Sequence, residues 1–347
     1  MRGTKLFVVL IALIACLAGD SYGKSARSYF RDAKKNFKKA TTKENFDAVN
    51  EAFSDLKEAV KISGNKEKAY KIFFWFYKHR EGAERLEKKD EFNSLIEFGE
   101  NMLSSLPDEG VLITFERYET YPLLFLQAVE GEKCNLTIIS KHLLNQPTYV
   151  EANSDKLGIK LDAENMEKLI RANIEPAQVI IDSLASAASS GGKRLFFPIS
   201  IPPNYFKRYM NNLTFLGLVW EYNGKPPEKY ISIIKKRVVE DYSYDAFEKA
   251  KGSERMLLRS AYNNYVLMVN ISSTLARTEG DTETALSILL WGKEKLENHW
   301  MINGALYKLY KETGETEKAE EAKKNIQKFV EEHPEEPRAK EFLKILK

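Results

Sequence analysis

From about residue 24 to 108, apolar residues recur at three- and four-residue spacing. Phe46, Val49, Phe53, Leu56 and Val60 form one such stripe, the pattern of a helix buried along one side. Gly64-Asn65 interrupts it, and Ile72, Phe73, Trp75, Phe76 and Tyr77 resume. Those five sit at neighbouring positions around a helix, so they read as core and not as a sugar-stacking face. Between 108 and 225 the period changes. "VLITF" (111–115), "LTIIS" (136–140), "RLFFPIS" (194–200) and "LGLVWEY" (216–222) are short β-prone runs. Helical segments lie between them: 121–130, 163–173 with Asp162 as N-cap, and 176–188 closed by Gly191-Gly192. Alternating strands and helices predict βαβ units and a largely parallel sheet of three or four strands.

The last third returns to a helical period and repeats itself. Leu275 and Leu309, Gly280 and Gly314, and Ala285 and Ala319 each stand 34 residues apart. That is the length of a tetratricopeptide repeat, with a turn glycine and then a small alanine at the helix crossing. Leu306, Tyr310, Gly314 and Ala319 fit the pattern, whereas bulky Tyr307 occupies a position usually held by Gly or Ala. The expected fold is mostly α with a small α/β core. Its order is a leader over 1–23, helices over 24–108, the α/β core over 109–225 and tetratricopeptide-like hairpins over 226–347.

The N-terminus narrows the setting. Arg2 and Lys5 precede the apolar run "LFVVLIALIAC", which has the form of a secretory signal and is too short to span a bilayer. "LIAC" resembles a bacterial lipobox, which would make Cys16 an acylated N-terminus. Ser21 and Gly23 alternatively suit ordinary cleavage before Lys24. Either route predicts an exported protein of the periplasm or cell envelope, anchored by lipid or free. The formal charge of +3 falls to about +1 without Arg2 and Lys5, so no concentrated basic face marks a nucleic-acid partner. Export past Cys16 leaves one cysteine, Cys134, so stability is expected from packing and not from an internal disulfide. The sequons at Asn135, Asn212 and Asn270 are chance matches if the chain is bacterial.

"FERYETYPLLFLQAVEG" followed by "NLTIISKHLLNQPTYV" resembles the soluble tail of bacterial membrane proteins similar to protein O-mannosyltransferases. The matching positions are Thr120, Tyr121, Pro122, Leu123, Phe125, Leu126, Gln127, Glu130, Gly131, Leu143, Leu144, Asn145 and Tyr149. "GGKRLFFPISIP" and "LGLVWEY" are similar to later strands of that family, and the resemblance runs over roughly 105–300. It implies a strand, an acidic turn and a helix around 116–121. Two departures qualify it. The family's membrane-spanning half is absent, and Arg117 and Glu119 stand where the family turn has two aspartates, with Glu116 at its glycine.

The candidate site is therefore the segment Glu116, Arg117, Tyr118, Glu119, Thr120 and Tyr121. Glu116 and Glu119 have the makings of an acid–base pair, but acids also suit a helix start. An arginine between two glutamates predicts local ion pairs, and Pro122 suits the first turn of the following helix. Tyr118, Tyr121 and Trp220 are sugar-stacking candidates. His79, His142, His299 and His333 form no ligand pair, so neither a metal nor another cofactor is expected. "SSGGKR" lies between a helix and a strand, the reverse of a phosphate loop. The expected role is a non-enzymatic interaction module for protein partners, associated with envelope glycosylation or assembly. The alternative is glycan binding or glycan chemistry at 116–121.

Overall fold

The computed structural model describes residues 24–42, 46–81, 89–159, 163–224, 231–250, 256–297 and 299–346. The leader over 1–23, Cys16 and the Asp162 cap lie outside the described residues. So does the side chain of Phe46. Chain contacts divide the protein into two units. The first contains α1 (Ala26–Thr42), α2 (Phe46–Ser63) and α3 (Lys66–Glu81). The predicted stripe is its core: Val49, Phe53, Leu56 and Val60 are buried with Ile72, Phe73, Phe76 and Tyr77. Phe37 stacks on Phe76 at 4.2 Å and meets Phe53 edge-on at 5.3 Å, geometries that suit the ring quadrupoles. The aromatic run of α3 is thus mainly interior.

The second unit starts at α4 (Lys89–Ser104) and holds the sheet and every later helix. Its strands are β1 (Gly110–Thr114), β2 (Leu136–Ser140), β3 (Leu195–Pro198), β4 (Leu213–Phe215) and β5 (Val219–Tyr222). They lie in the order β2-β1-β3-β5-β4. β1 is parallel to β2, with Gly110 opposite Leu136 and Thr114 opposite Ser140. It is also parallel to β3, with Leu112 opposite Phe196. β5 runs antiparallel to both β3 and β4.

The sheet therefore has five strands and is mixed, not a largely parallel sheet of three or four. The reason lies in the run read as a single strand over 216–222. Leu216, Gly217 and Leu218 are a tight connection with Leu216 N–H bonded to Val219 C=O at 2.9 Å, and a connection that short joins only antiparallel strands. Gly217 turns there with φ +105°, and a Cβ on it would sit 2.4 Å from the Tyr242 hydroxyl. β4 is three residues long, too short to show a period.

Helices cover the sheet and continue beyond it. α5 (Arg117–Phe125) runs into a wide turn over Leu126–Glu130 and crosses from β1 to β2. α6 (Pro147–Leu157), α7 (Ala163–Arg171) and α8 (Pro176–Ser189) cross back to β3, on the other side of β1. α9 (Pro203–Tyr209) precedes β4. Then come α10 (Ile231–Lys236, with a further turn over Arg237–Asp241), α11 (Asp245–Lys249), α12 (Met256–Thr278), α13 (Thr282–Lys295), α14 (Trp300–Glu312), α15 (Thr316–Glu332) and α16 (Pro337–Ile345).

α12 packs on α13 and α14 on α15. At the two hairpin turns Gly280 has φ +80° and Gly314 φ +78°, the left-handed conformation glycine adopts without strain. The bonds match too: Asp281 N–H to Ala276 C=O at 2.9 Å, and Glu315 N–H to Tyr310 C=O at 2.8 Å. Ala285 and Ala319 are both fully buried.

Candidate functional site

The first crossover leaves β1 toward β2 and the second returns to β3, so the chain reverses direction at the C-terminal ends of β1 and β3. Open α/β sheets place ligands at such a crevice. Phe115 and Glu116 follow β1 there, and Ser200 follows β3.

The segment 116–121 is not a turn. Glu116 is extended (φ −124°, ψ 155°) and caps a helix that starts at Arg117. The cause is Glu119. Its carboxylate folds back to accept the N–H groups of Phe115 and Glu116, each at 3.1 Å, and the hydroxyl of Ser200. This satisfies amides that a helix start leaves open. Thr120 donates to the Glu116 carbonyl at 2.9 Å and meets the Thr114 hydroxyl at 2.7 Å. The predicted ion pair between Arg117 and Glu119 does not form, because Glu119 is committed to these partners. Pro122 is not in the first turn either. It is the sixth helical residue, where proline removes a bond to the carbonyl four residues back. Gly99 of α4 accommodates that region closely: a Cβ there would be 3.1 Å from both Pro122 and Leu126.

Of the six predicted residues, Glu116 and Arg117 are exposed. Tyr118, Glu119, Thr120 and Tyr121 are buried. The glutamates therefore do not converge as an acid–base pair. Tyr118 donates no face to solvent; its hydroxyl accepts from Asn264 of α12 at 3.1 Å. Tyr121 and Trp220 are likewise interior. Burial raises the Glu119 carboxyl to about 7, against the lowering pull of Ser200 and the two amides. Burial, followed by the charge of Glu119, also holds the Tyr118 phenol above its ordinary range. The crevice thus contains a sealed, protonatable carboxyl.

Other charged groups around the strand ends are paired locally. Lys141, just after β2, pairs with Glu175 and lies 5.6 Å over the Tyr205 ring. Gln127 donates to the Lys133 and Leu136 carbonyls at 2.7 and 2.8 Å, and Asn145 accepts Ala177 N–H at 3.1 Å. Arg194 makes a two-bond pair with Glu221 at 2.5 and 2.8 Å. The Gly191-Gly192 close of α8 forms as expected, with Gly192 N–H bonded to Ala187 C=O at 2.8 Å.

An open groove of about 600 Å³ lies elsewhere, among α11, the start of α12, the α13–α14 connection and the end of α15. Tyr244, Phe247, Tyr262 and Phe329 line it with aromatic rings. Arg259, Lys295, Glu297, Glu332, Glu335 and Glu336 supply charges around these rings. His299 and His333 also line it. They are 34 residues apart, so the repeat period was the sequence signal that connected them; a search for close-spaced ligand pairs passes over it. His299 Nδ1 accepts Met301 N–H at 3.2 Å, which assigns the remaining proton to Nε2. Burial pushes His299 down to about 4, so it is neutral at pH 7. Its Nε2–H bonds to no group among the described residues. The buried Tyr244 hydroxyl also lacks a hydrogen-bond partner.

The groove's first wall is positioned by α4. Glu97 accepts the Ser243 hydroxyl at 2.6 Å and the N–H groups of Ala246 and Phe247 at 3.0–3.1 Å. Asn101 holds Ser243 from both sides and donates to Tyr265 at 2.7 Å. Glu97 and Asn101 are four apart, on one face of α4.

Among the described residues no group of three His, Cys, Asp or Glu is placed to hold a metal ion. No described helix is long and apolar enough to cross a membrane. Comparison with known proteins gives no matching family model, no matching curated protein and no matching solved structure.

Proposed function

We propose that this chain is an exported, lipid-anchored envelope protein that works as an interaction module, binding a protein partner through its C-terminal helical hairpins. The observation that carries this is the open groove walled by the helices that repeat. Two hairpins with the same left-handed glycine turn, the same cap bond and a buried alanine, 34 residues apart, support their reading as degenerate tetratricopeptide-like repeats. Such hairpins stack into concave surfaces that hold partners. A role beside an envelope glycosylation or assembly system follows only from the resemblance over 105–300.

Photo-crosslinking in the living cell tests the reading. A photoreactive phenylalanine replaces exposed Asn263, beside the groove, or exposed Glu116, at the strand ends. A single reproducible adduct at 263 and none at 116 is expected. Adducts at 116 alone would move the partner site to the sheet and end this proposal.

A second reading, a glycan-acting enzyme, is favoured by one observation: Glu119 titrates near 7, as a general acid should. It ranks second because that carboxyl is fully buried and has no second carboxylate facing it. Turnover of a lipid-linked sugar by the purified protein, lost in Glu119→Gln, would promote it.

A further inference from the structure

We infer that the groove takes an extended, basic peptide segment of a protein partner; this rests on the reading of the hairpins as the partner-binding part. Three independent features point to that chemistry. The first is charge. The lining carries four glutamates against two basic side chains, and both basic residues are already engaged, Arg259 with Glu336 and Lys295 with Glu248. Glu332 and Glu335 lie 3.7 Å from Lys328 and 3.5 Å from His333. Those are long contacts between exposed groups, which an incoming cation displaces at small cost. A basic segment therefore meets complementary charge, and an acidic one meets repulsion.

The second feature is the aromatic lining. Tyr244, Tyr262 and Phe329 offer rings to the stems and charged heads of Lys or Arg, which bind aromatic faces. The third is a pair of unanswered donors. The Tyr244 hydroxyl is buried without a partner, and the His299 Nε2–H is unbonded among the described residues. A buried donor left unmet costs about 1–3 kcal/mol. Backbone carbonyls of an extended peptide supply the acceptors, and a strand-like segment then turns alternate side chains toward the glutamates. The cavity volume is within the range of sites for small ligands, about 300–1,000 Å³, which suits a few residues and not a whole helix.

The test uses the chain from residue 24 and fluorescence polarisation with three labelled probes. These are the peptide Gly-Arg-Leu-Arg-Val-Arg-Gly, its counterpart with Glu at each Arg, and the neutral sugar chitohexaose. Saturable binding of the basic peptide alone, weakened by salt, is expected. Glu332→Gln with Glu335→Gln should weaken it about tenfold, the sum of two exposed charge pairs. Tyr244→Phe should weaken it several-fold while leaving the melting temperature unchanged or higher, since the variant removes an unmet hydroxyl. Basic-peptide binding that neither variant alters would place it on another surface and overturn the proposal. Binding of the acidic peptide or the sugar instead, lost in Tyr244→Phe, would overturn the charge assignment and leave the groove as a partner site. If no probe binds and the 263 crosslink is absent, both fail together.

Discussion

Replacing Glu119 by Gln isolates one group's effect on stability. In the folded protein the carboxyl titrates near 7, against 4.5 ordinarily, because burial penalises its charged form. Below pH 4.5 it is protonated both folded and unfolded, and it costs nothing. As pH rises from 4.5 the unfolded chain releases the proton while the folded chain keeps it, so stability falls until the folded carboxyl also ionises near 7. The gap between 4.5 and about 7, at 1.36 kcal/mol per pH unit, is worth about 3 kcal/mol. Glutamine keeps the shape and the bonds: its amide oxygen takes the Phe115 and Glu116 N–H groups and its nitrogen donates to Ser200. Urea unfolding by circular dichroism, with both proteins at pH 5, 6, 7 and 8, reads the difference between them and cancels the other titrating groups. The two should match within about 0.5 kcal/mol at pH 5, with Glu119→Gln the more stable by up to about 3 kcal/mol at pH 8. A difference that stays constant across that range would refute the reasoning, because it would mean that the carboxyl is not desolvated as its burial indicates.

Ala319→Leu should overpack the α14–α15 crossing and lower stability by about 1–3 kcal/mol, visible as a fall in melting temperature; an unchanged value would contradict the packing role. Gly314→Ala should cost about 1–2 kcal/mol from backbone strain alone, since nothing lies within 4 Å of the new Cβ. An equally large loss in Ala319→Gly would point to the helix and not the turn. Metabolic labelling with an alkyne fatty acid should mark the full-length protein and fail in Cys16→Ser; a mature N-terminus at Lys24 would rule out the lipid anchor.

Several features of this protein are local, and the sequence alone determined them. The stripe Val49, Phe53, Leu56 and Val60 is buried as its spacing required, because a helix places those positions on one side whatever it packs against. The β1 and β2 runs fell within one residue of their strands. The glycine turns at 280 and 314 followed from a repeat that places like residues in like conformations. What stayed hidden depends on residues far apart in the chain. Glu116 and Glu119 are three apart and look like a pair, but Ser200, 81 residues further on, closes over Glu119 and leaves Glu116 outside. Arg117 loses its expected partner for the same reason. β4 is too short to carry a period, and it exists because β5 provides a ladder to join. The groove depends on Glu97 and Asn101 holding a segment about 150 residues away. Periodicity reports which side of an element is buried; only the tertiary structure decides which buried polar groups meet, because burial makes an unmet hydrogen bond costly and so selects the partner.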